Sequence, residues 1–270
     1  MLPVGCAFVL CLLFGMSTGQ LATWSNISTK SQMVRDREAE FASSTHVKGV
    51  VIQVSGTDHL VVGVSPLNHM LYLNNQTQEW ETLGTGKITV KWLTSCADGT
   101  VWFLDTTVGK PFRQHLVKKP TEVPGIPGKT LFQIAGKDAN ECGAVTTEGQ
   151  VYRYKESKGW WPVLGNITAK QLAMGSDGAI LALDEQGRVM ESVGDDWVEM
   201  MGGMTAVTLD VYNRAGNRIA ITDSDFNVYV YVDDLWLKMD SPVGGCVQVS
   251  ISLNEVFCVT SDNNVFRINA

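Results

Sequence analysis

Ala144-Val145-Thr146-Thr147-Glu148-Gly149-Gln150-Val151-Tyr152-Arg153 reads as two short β-strands joined by a polar turn. Apolar and β-branched runs broken by Gly or Asp with a polar neighbour are the sequence mark of a hairpin. The second strand of the pair brings in a large side chain, Tyr152. The same signature recurs at 61–72, 101–113, 180–190, 219–229 and 257–267. The large residue after each turn forms a column, Tyr72, Phe112, Tyr152, Met190, Tyr229 and Phe266, at intervals of 40, 40, 38, 39 and 37. Seven to nine residues beyond it stands a second column, Trp80, Pro120, Trp161, Trp197 and Trp236. Helical repeats of this length need a 3.6-residue apolar period, which these segments lack. Six β-type repeats of about forty residues predict an all-β fold, a six-bladed β-propeller.

The ends of the chain bear on whether that ring closes. The sixth repeat stops at Ala270, four residues after Phe266 and short of its second column. Trp24-Ser25-Asn26-Ile27 supplies a matching piece, so an N-terminal strand is expected to complete the last blade. Closure removes the open strand edge of a linear array. Trp24 lies 56 residues before Trp80, which implies an insertion near 28–45. The charged stretch from Ser31 to Ser43 fills it as a loop or short helix.

Residues 1–19 carry no Asp, Glu, Lys or Arg, and Phe8 begins an apolar run that ends at Phe14. Ser17 and Gly19 suit a cleavage site before Gln20, so 1–19 reads as a signal peptide and 20–270 as a single secreted domain. The apolar run is shorter than the roughly 20 residues that span a bilayer. Secretion makes the cysteines informative. Cys6 and Cys11 leave with the leader, and four remain. Cys246 and Cys258 flank two successive strands and are expected to pair, leaving Cys96 with Cys142 or with a disulfide-linked partner chain. Asn26, Asn75 and Asn166 head Asn-x-Ser/Thr sequons, so they are candidate glycosylation sites.

The net charge of −7 argues against nucleic acid, which needs a basic patch, and gives no attraction to anionic lipid. Enzyme signatures are missing. His46, His59, His69 and His115 stand in no metal-ligand spacing, and no Gly-x-Ser-x-Gly occurs. One stretch, 95–102, is near a sialidase Asp box but off by one in spacing. Asp223-Ser224-Asp225 starts like a calcium loop, yet Val228 and Asp234 hold the positions where an EF-hand needs Gly and Glu. A turn is expected there. The sequence thus predicts neither catalysis nor a cofactor, and a glycosidase built on a pair of its many carboxylates is the alternative.

Four stretches carry a family resemblance: Ala97-Asp98-Gly99-Thr100-Val101-Trp102-Phe103-Leu104-Asp105, Gly175-Ser176-Asp177-Gly178-Ala179-Ile180-Leu181-Ala182-Leu183-Asp184, and the ends Glu148-Gly149-Gln150-Val151-Tyr152-Arg153 and Asn264-Val265-Phe266-Arg267. In this order and spacing they resemble the repeat of the tectonin family, which includes tachylectin-type and fish-egg lectins. The resemblance covers nearly all of 20–270. It implies a lectin that recognises surface glycans or lipopolysaccharide, in defence or in an extracellular or egg fluid. It also leaves open a homo-oligomer, a scaffold, or a sugar-targeting subunit of a larger complex such as a toxin.

A sugar offers hydroxyls to polar groups and one apolar face to an aromatic ring. Trp80, Trp161, Trp197 and Trp236 are therefore candidates for stacking, and packing between blades is their alternative role. Trp160 and Trp92 lie off the column and suit exposed platforms. Asp184 is a candidate acceptor for sugar hydroxyls. Asp98 and Asp177 precede Gly, where turn formation is the expected role.

Overall fold

The computed structural model describes residues 45–84, 88–116, 118–200, 202–242 and 244–269. The leader, Cys6, Cys11, the Trp24 segment, Asn26 and the stretch from Ser31 to Ser43 lie outside them. The described residues form 24 strands in six four-stranded antiparallel sheets and no helix. Blade 1 holds β2 (Gln53–Gly56), β3 (Val61–Val64), β4 (Met70–Asn74) and β5 (Glu79–Thr82). Blade 2 holds β6 (Val90–Ser95), β7 (Thr100–Asp105), β8 (Pro111–His115) and β9 (Thr121–Glu122). Blade 3 holds β10 (Leu131–Asp138), β11 (Glu141–Thr146), β12 (Val151–Lys155) and β13 (Gly159–Pro162). Blade 4 holds β14 (Gln171–Met174), β15 (Ile180–Leu183), β16 (Val189–Val193) and β17 (Asp196–Glu199). Blade 5 holds β18 (Thr208–Asn213), β19 (Arg218–Thr222), β20 (Val228–Val232) and β21 (Leu235–Lys238). Blade 6 combines β22 (Gln248–Ile251), β23 (Glu255–Val259) and β24 (Asn264–Asn269) with β1 (Thr45–Val50) from the other end of the chain.

An N-terminal strand thus closes the ring as expected, but it is Thr45–Val50 and not the Trp24 segment. His46 lies opposite Phe266 and Val47 opposite Val265, and the His46 and Phe266 rings sit 5.2 Å apart. In this outer position the strand needs one apolar contact face rather than a tryptophan. Val47 supplies it, 4% exposed.

Burial follows position within a blade. The second strands are covered on both faces by neighbouring blades, so β3, β7, β11, β15 and β23 carry nearly continuous buried runs. Such runs are why their sequences show no polar alternation. The outer strands, as in Glu79–Thr82, stay largely polar and exposed. Six apolar clusters result, each built from adjacent blades.

Cys246 and Cys258 are joined by a disulfide within blade 6, with Cα atoms 5.4 Å apart. The second expected bridge is not formed: Cys96 and Cys142 are both buried free thiols. Cys142 lies opposite Gly136 in the β10–β11 ladder, and the Cys96 sulfur packs over Gly136 from blade 2. Burial pushes both thiols well above their ordinary pKa. That keeps them protonated, and disulfide exchange requires the thiolate.

Glu141 is buried beside Lys137 and Arg153. It accepts a hydrogen bond of 3.0 Å from Lys137 Nζ and one of 2.6 Å from Arg153 Nε. Burial alone would raise its carboxyl pKa, but the two cations overcome this and hold it below the ordinary value of 4.5. A carboxylate with a depressed folded pKa contributes stability above its unfolded pKa and loses it as pH falls through the folded value. Glu141→Gln is therefore expected to cost about 2 kcal/mol at pH 7, below the usual cost of breaking a buried pair because both cations are partly exposed. The gap to the parent protein should close as pH drops below 4.5. Urea unfolding across pH 3 to 7 measures it, and a gap independent of pH would refute the assignment.

Candidate functional site

The six innermost strands face the central channel. Strand register aligns Gln53, Trp92, Gln133, Gln171, Thr208 and Gln248 as one ring of equivalent positions. Each of the four glutamines clamps the next blade through both ends of its amide. Gln133 Nε2 donates to the Leu172 carbonyl at 2.7 Å, and its Oε1 accepts from Leu172 N at 2.7 Å. Gln53 does the same to Leu93, Gln171 to Leu209, and Gln248 to Val54. Blade 5 uses another residue. Asp210 accepts from Ser250 Oγ at 2.6 Å and from Ile251 N at 3.0 Å. Its carboxyl pKa is raised by burial, with these bonds acting the other way.

At one end of the channel, where the inner strands begin, lies a cavity of about 710 Å³. All six blades contribute to its rim, through Ile52, Lys91, Phe132, Lys170, Val207 and Val247. Its wall includes Trp92 and Thr208, the two ring positions without glutamine, and the turns at Gln186 and Ser224. Lys91 Nζ sits 5.3 Å from the centre of the Phe132 ring. Lys170 Nζ donates to the backbone carbonyl of Glu185. The off-column Trp92 is thus half-buried in the channel wall.

The predicted sugar-stacking residues are scattered over the outer parts of the blades. Register puts Trp160, not Trp161, in the column with Trp80, Trp197 and Trp236. It likewise makes Leu71, not Tyr72, the equivalent of Tyr152. The four column tryptophans pack on the preceding blade. Trp197 lies over Gly165, where φ is +95° and a Cβ would come within 2.6 Å of the indole. Trp80 meets Gly49 and Trp236 meets Gly202 in the same way, while Trp160 Nε1 donates to the Pro124 carbonyl at 2.6 Å. Asp184 is 5% exposed and accepts from Gln186 N, Arg188 N and Arg188 Nε. Burial opposes its charge, but Arg188 holds its carboxyl below the usual range. Its oxygens are committed to the blade 4 turn.

Asp98 and Asp177 shape turns as expected, and each also reaches the next blade. Asp98 accepts from Ala139 N, and Asp177 accepts from Ala215 N. Asp223 closes its own turn through the backbone of Asp225 and Asn227. Among the described residues no three His, Cys, Asp or Glu side chains gather as a metal site.

Trp161 differs from the column. It sits on the opposite face of β13 from Trp160 and borders a groove of about 350 Å³ between blades 3 and 4. Arg153, Ser192 and Asp195 line the same groove. Lys158 Nζ stands 5.7 Å from the centre of the Trp161 ring. Glu141 fixes the Arg153 guanidinium from behind.

No family model matches the chain, and no curated protein matches it in sequence. Solved propellers share its fold. YCF48 from Cyanidioschyzon merolae is 13% identical with a TM-score of 0.56, covering 84% of this chain and 85% of that one. XC5397 of Xanthomonas campestris, a gluconolactonase, is 9% identical with a TM-score of 0.63, over 83% and 87%. Virginiamycin B lyase from Staphylococcus aureus is 11% identical with a TM-score of 0.53, over 84% and 98%. Likeness at such identities establishes architecture alone: the chain is a six-bladed β-propeller. These neighbours differ in what they do, and none is described as a lectin.

Proposed function

We propose that this is a secreted, non-catalytic carbohydrate-binding propeller that holds surface glycans in the groove between blades 3 and 4. The observation that carries this reading is Trp161, an aromatic side chain bordering an open groove beside Arg153, Ser192 and Asp195. That is the pairing of an aromatic face with convergent polar groups that a sugar ring requires. Arg153 and Ser192 offer donors and Asp195 an acceptor to sugar hydroxyls, which suits a surface glycan or the saccharide of lipopolysaccharide. One shallow groove binds weakly, so useful affinity depends on several contacts with a dense surface. Asn75 and Asn166 are both exposed, which suits glycosylation on secretion.

A glycan array and immobilised lipopolysaccharide test the reading. Trp161→Ala is expected to weaken binding at least tenfold, a loss of about 1.4 kcal/mol or more. Trp161→Phe should retain much of it. Absence of binding at any multivalent density, or an unchanged profile for Trp161→Ala, would overturn the proposal. Turnover of a bound glycan would overturn its non-catalytic part.

A further inference from the structure

The channel mouth is polarised in a way the propeller architecture does not require. Its cavity of about 710 Å³ falls within the range of small-molecule sites. On the side of blades 2 to 4 the rim reads Lys91, Phe132, Lys170; across from it stand Val207, Val247 and Ile52. Ile52 is 42% exposed, Phe132 40% and Val207 46%, so three of the chain's exposed large apolar side chains converge on one opening. Isolated exposed apolar residues need no explanation, whereas a contiguous group around a cavity marks a binding site.

Charge narrows the ligand. The chain carries a net −7, yet among the described residues this cavity is lined by two lysines and no carboxylate. Among the described residues most arginines are paired, as Arg113 is with Glu156 and Arg214 with Glu191. Lys91 and Lys170 instead rest against an aromatic ring and a backbone carbonyl, neither of which neutralises an ammonium group. The interior also departs from the repeat. Glutamine clamps the next blade at four of the six ring positions, and the exceptions are Trp92 and Thr208, in blades opposite one another. Trp92 supplies an aromatic wall and Thr208 a small hydroxyl where an engaged amide would otherwise stand.

We infer that the channel mouth is a binding site for an amphipathic organic anion, its apolar or aromatic body against Trp92, Val207 and Val247 and its anionic group between Lys91 and Lys170. This site is separate from the Trp161 groove and does not depend on the glycan reading.

The test uses the full secreted chain and two fluorescent probes, 8-anilinonaphthalene-1-sulfonate and its uncharged relative N-phenyl-1-naphthylamine. The sulfonate should bind saturably at about one equivalent per chain, as a single preformed pocket demands. Lys91→Glu and Lys170→Glu should each weaken it about tenfold, and the double Gln variant should fall in between. The uncharged probe should bind more weakly and respond little to either lysine. Both side chains are exposed, so unfolding should be unaffected, and a thermal melt of each variant checks this. Trp161→Ala should leave sulfonate binding unchanged, which separates this site from the groove. Non-saturating binding, equal affinity for the two probes, or indifference of the sulfonate to lysine reversal would each overturn the inference.

Discussion

Trp102→Ala is expected to destabilise the propeller by about 4 kcal/mol, the range for removing a fully buried tryptophan. Its side chain is 0% exposed. The indole N–H donates to the Asp138 carbonyl at 2.8 Å, crossing from blade 2 to blade 3. Tyr154 meets the ring edge-on, with centroids 5.8 Å apart. Blade 2 is also where Trp92 replaces the clamping glutamine, so Trp102 carries much of that joint. The cost can be traced to one contact. A Cβ on Gly136 would lie 2.5 Å from both Trp102 Cδ1 and the Cys96 sulfur, closer than atoms tolerate. Gly136→Ala should therefore destabilise the parent protein by about 2 kcal/mol through overpacking. In the Trp102→Ala background the same change partly fills the space left by the indole, and its cost should fall to the part that comes from the Cys96 sulfur. Urea unfolding of the four proteins yields the coupling energy. Additive effects, within about 0.5 kcal/mol, would show that the two sites do not share this contact.

The sequence was legible where each repeat speaks for itself. Second strands such as Val61–Val64 and Ile180–Leu183 are apolar throughout, and turn residues bound them, so six hairpins and their count could be read directly. Alignment to within one residue was not legible. Trp160 and Trp161 are adjacent, and spacing alone does not say which faces the preceding blade; the pairing of Trp160 with Tyr154 does. The closing strand was hidden for a different reason. Thr45-His46-Val47-Lys48-Gly49-Val50 has no tryptophan and little to mark it, whereas Trp24 offered a familiar short motif. For the sites, Trp161 and Trp92 were visible as tryptophans, but a groove or a channel wall exists only once blades are adjacent. Asp184 shows the converse, since a carboxylate in a turn looks available until Arg188 is seen to occupy it. The glutamine ring did leave a trace. Gln53-Val54, Gln133-Ile134, Gln171-Leu172 and Gln248-Val249 recur at near-multiples of the repeat. A lone polar residue at the start of a strand ordinarily reads as solvent-facing, and only a closed ring turns that position inward.

That ring supports the second large effect. Gln133→Ala should cost about 3 kcal/mol, because it strands both the N–H and the carbonyl of Leu172 in a blade interface. Net hydrogen-bond energies are modest, but an orphaned buried donor and acceptor each carry a desolvation penalty of about 1 to 3 kcal/mol. Water decides how much of that penalty appears. Gln133 is 2% exposed and does not line the channel-mouth cavity; with Leu172 it borders only a narrow space of about 20 Å³ inside the channel, so solvent reaches Leu172 far less freely than at the mouth. Gln248 makes the equivalent clamp on Val54 but lines the cavity and is only half-buried. A water can take its place there at little cost, so Gln248→Ala should lose only about 1 kcal/mol. Gln133→Glu sharpens the comparison. It presents an acceptor, not a donor, to the Leu172 carbonyl and should be at least as damaging as alanine at pH 7. Urea midpoints at unchanged m-value measure all three. Equal losses at positions 133 and 248 would mean that solvent access is not what separates them. A loss below about 0.5 kcal/mol for Gln133→Ala would remove the clamp as a source of stability, leaving apolar packing between the blades to hold the ring.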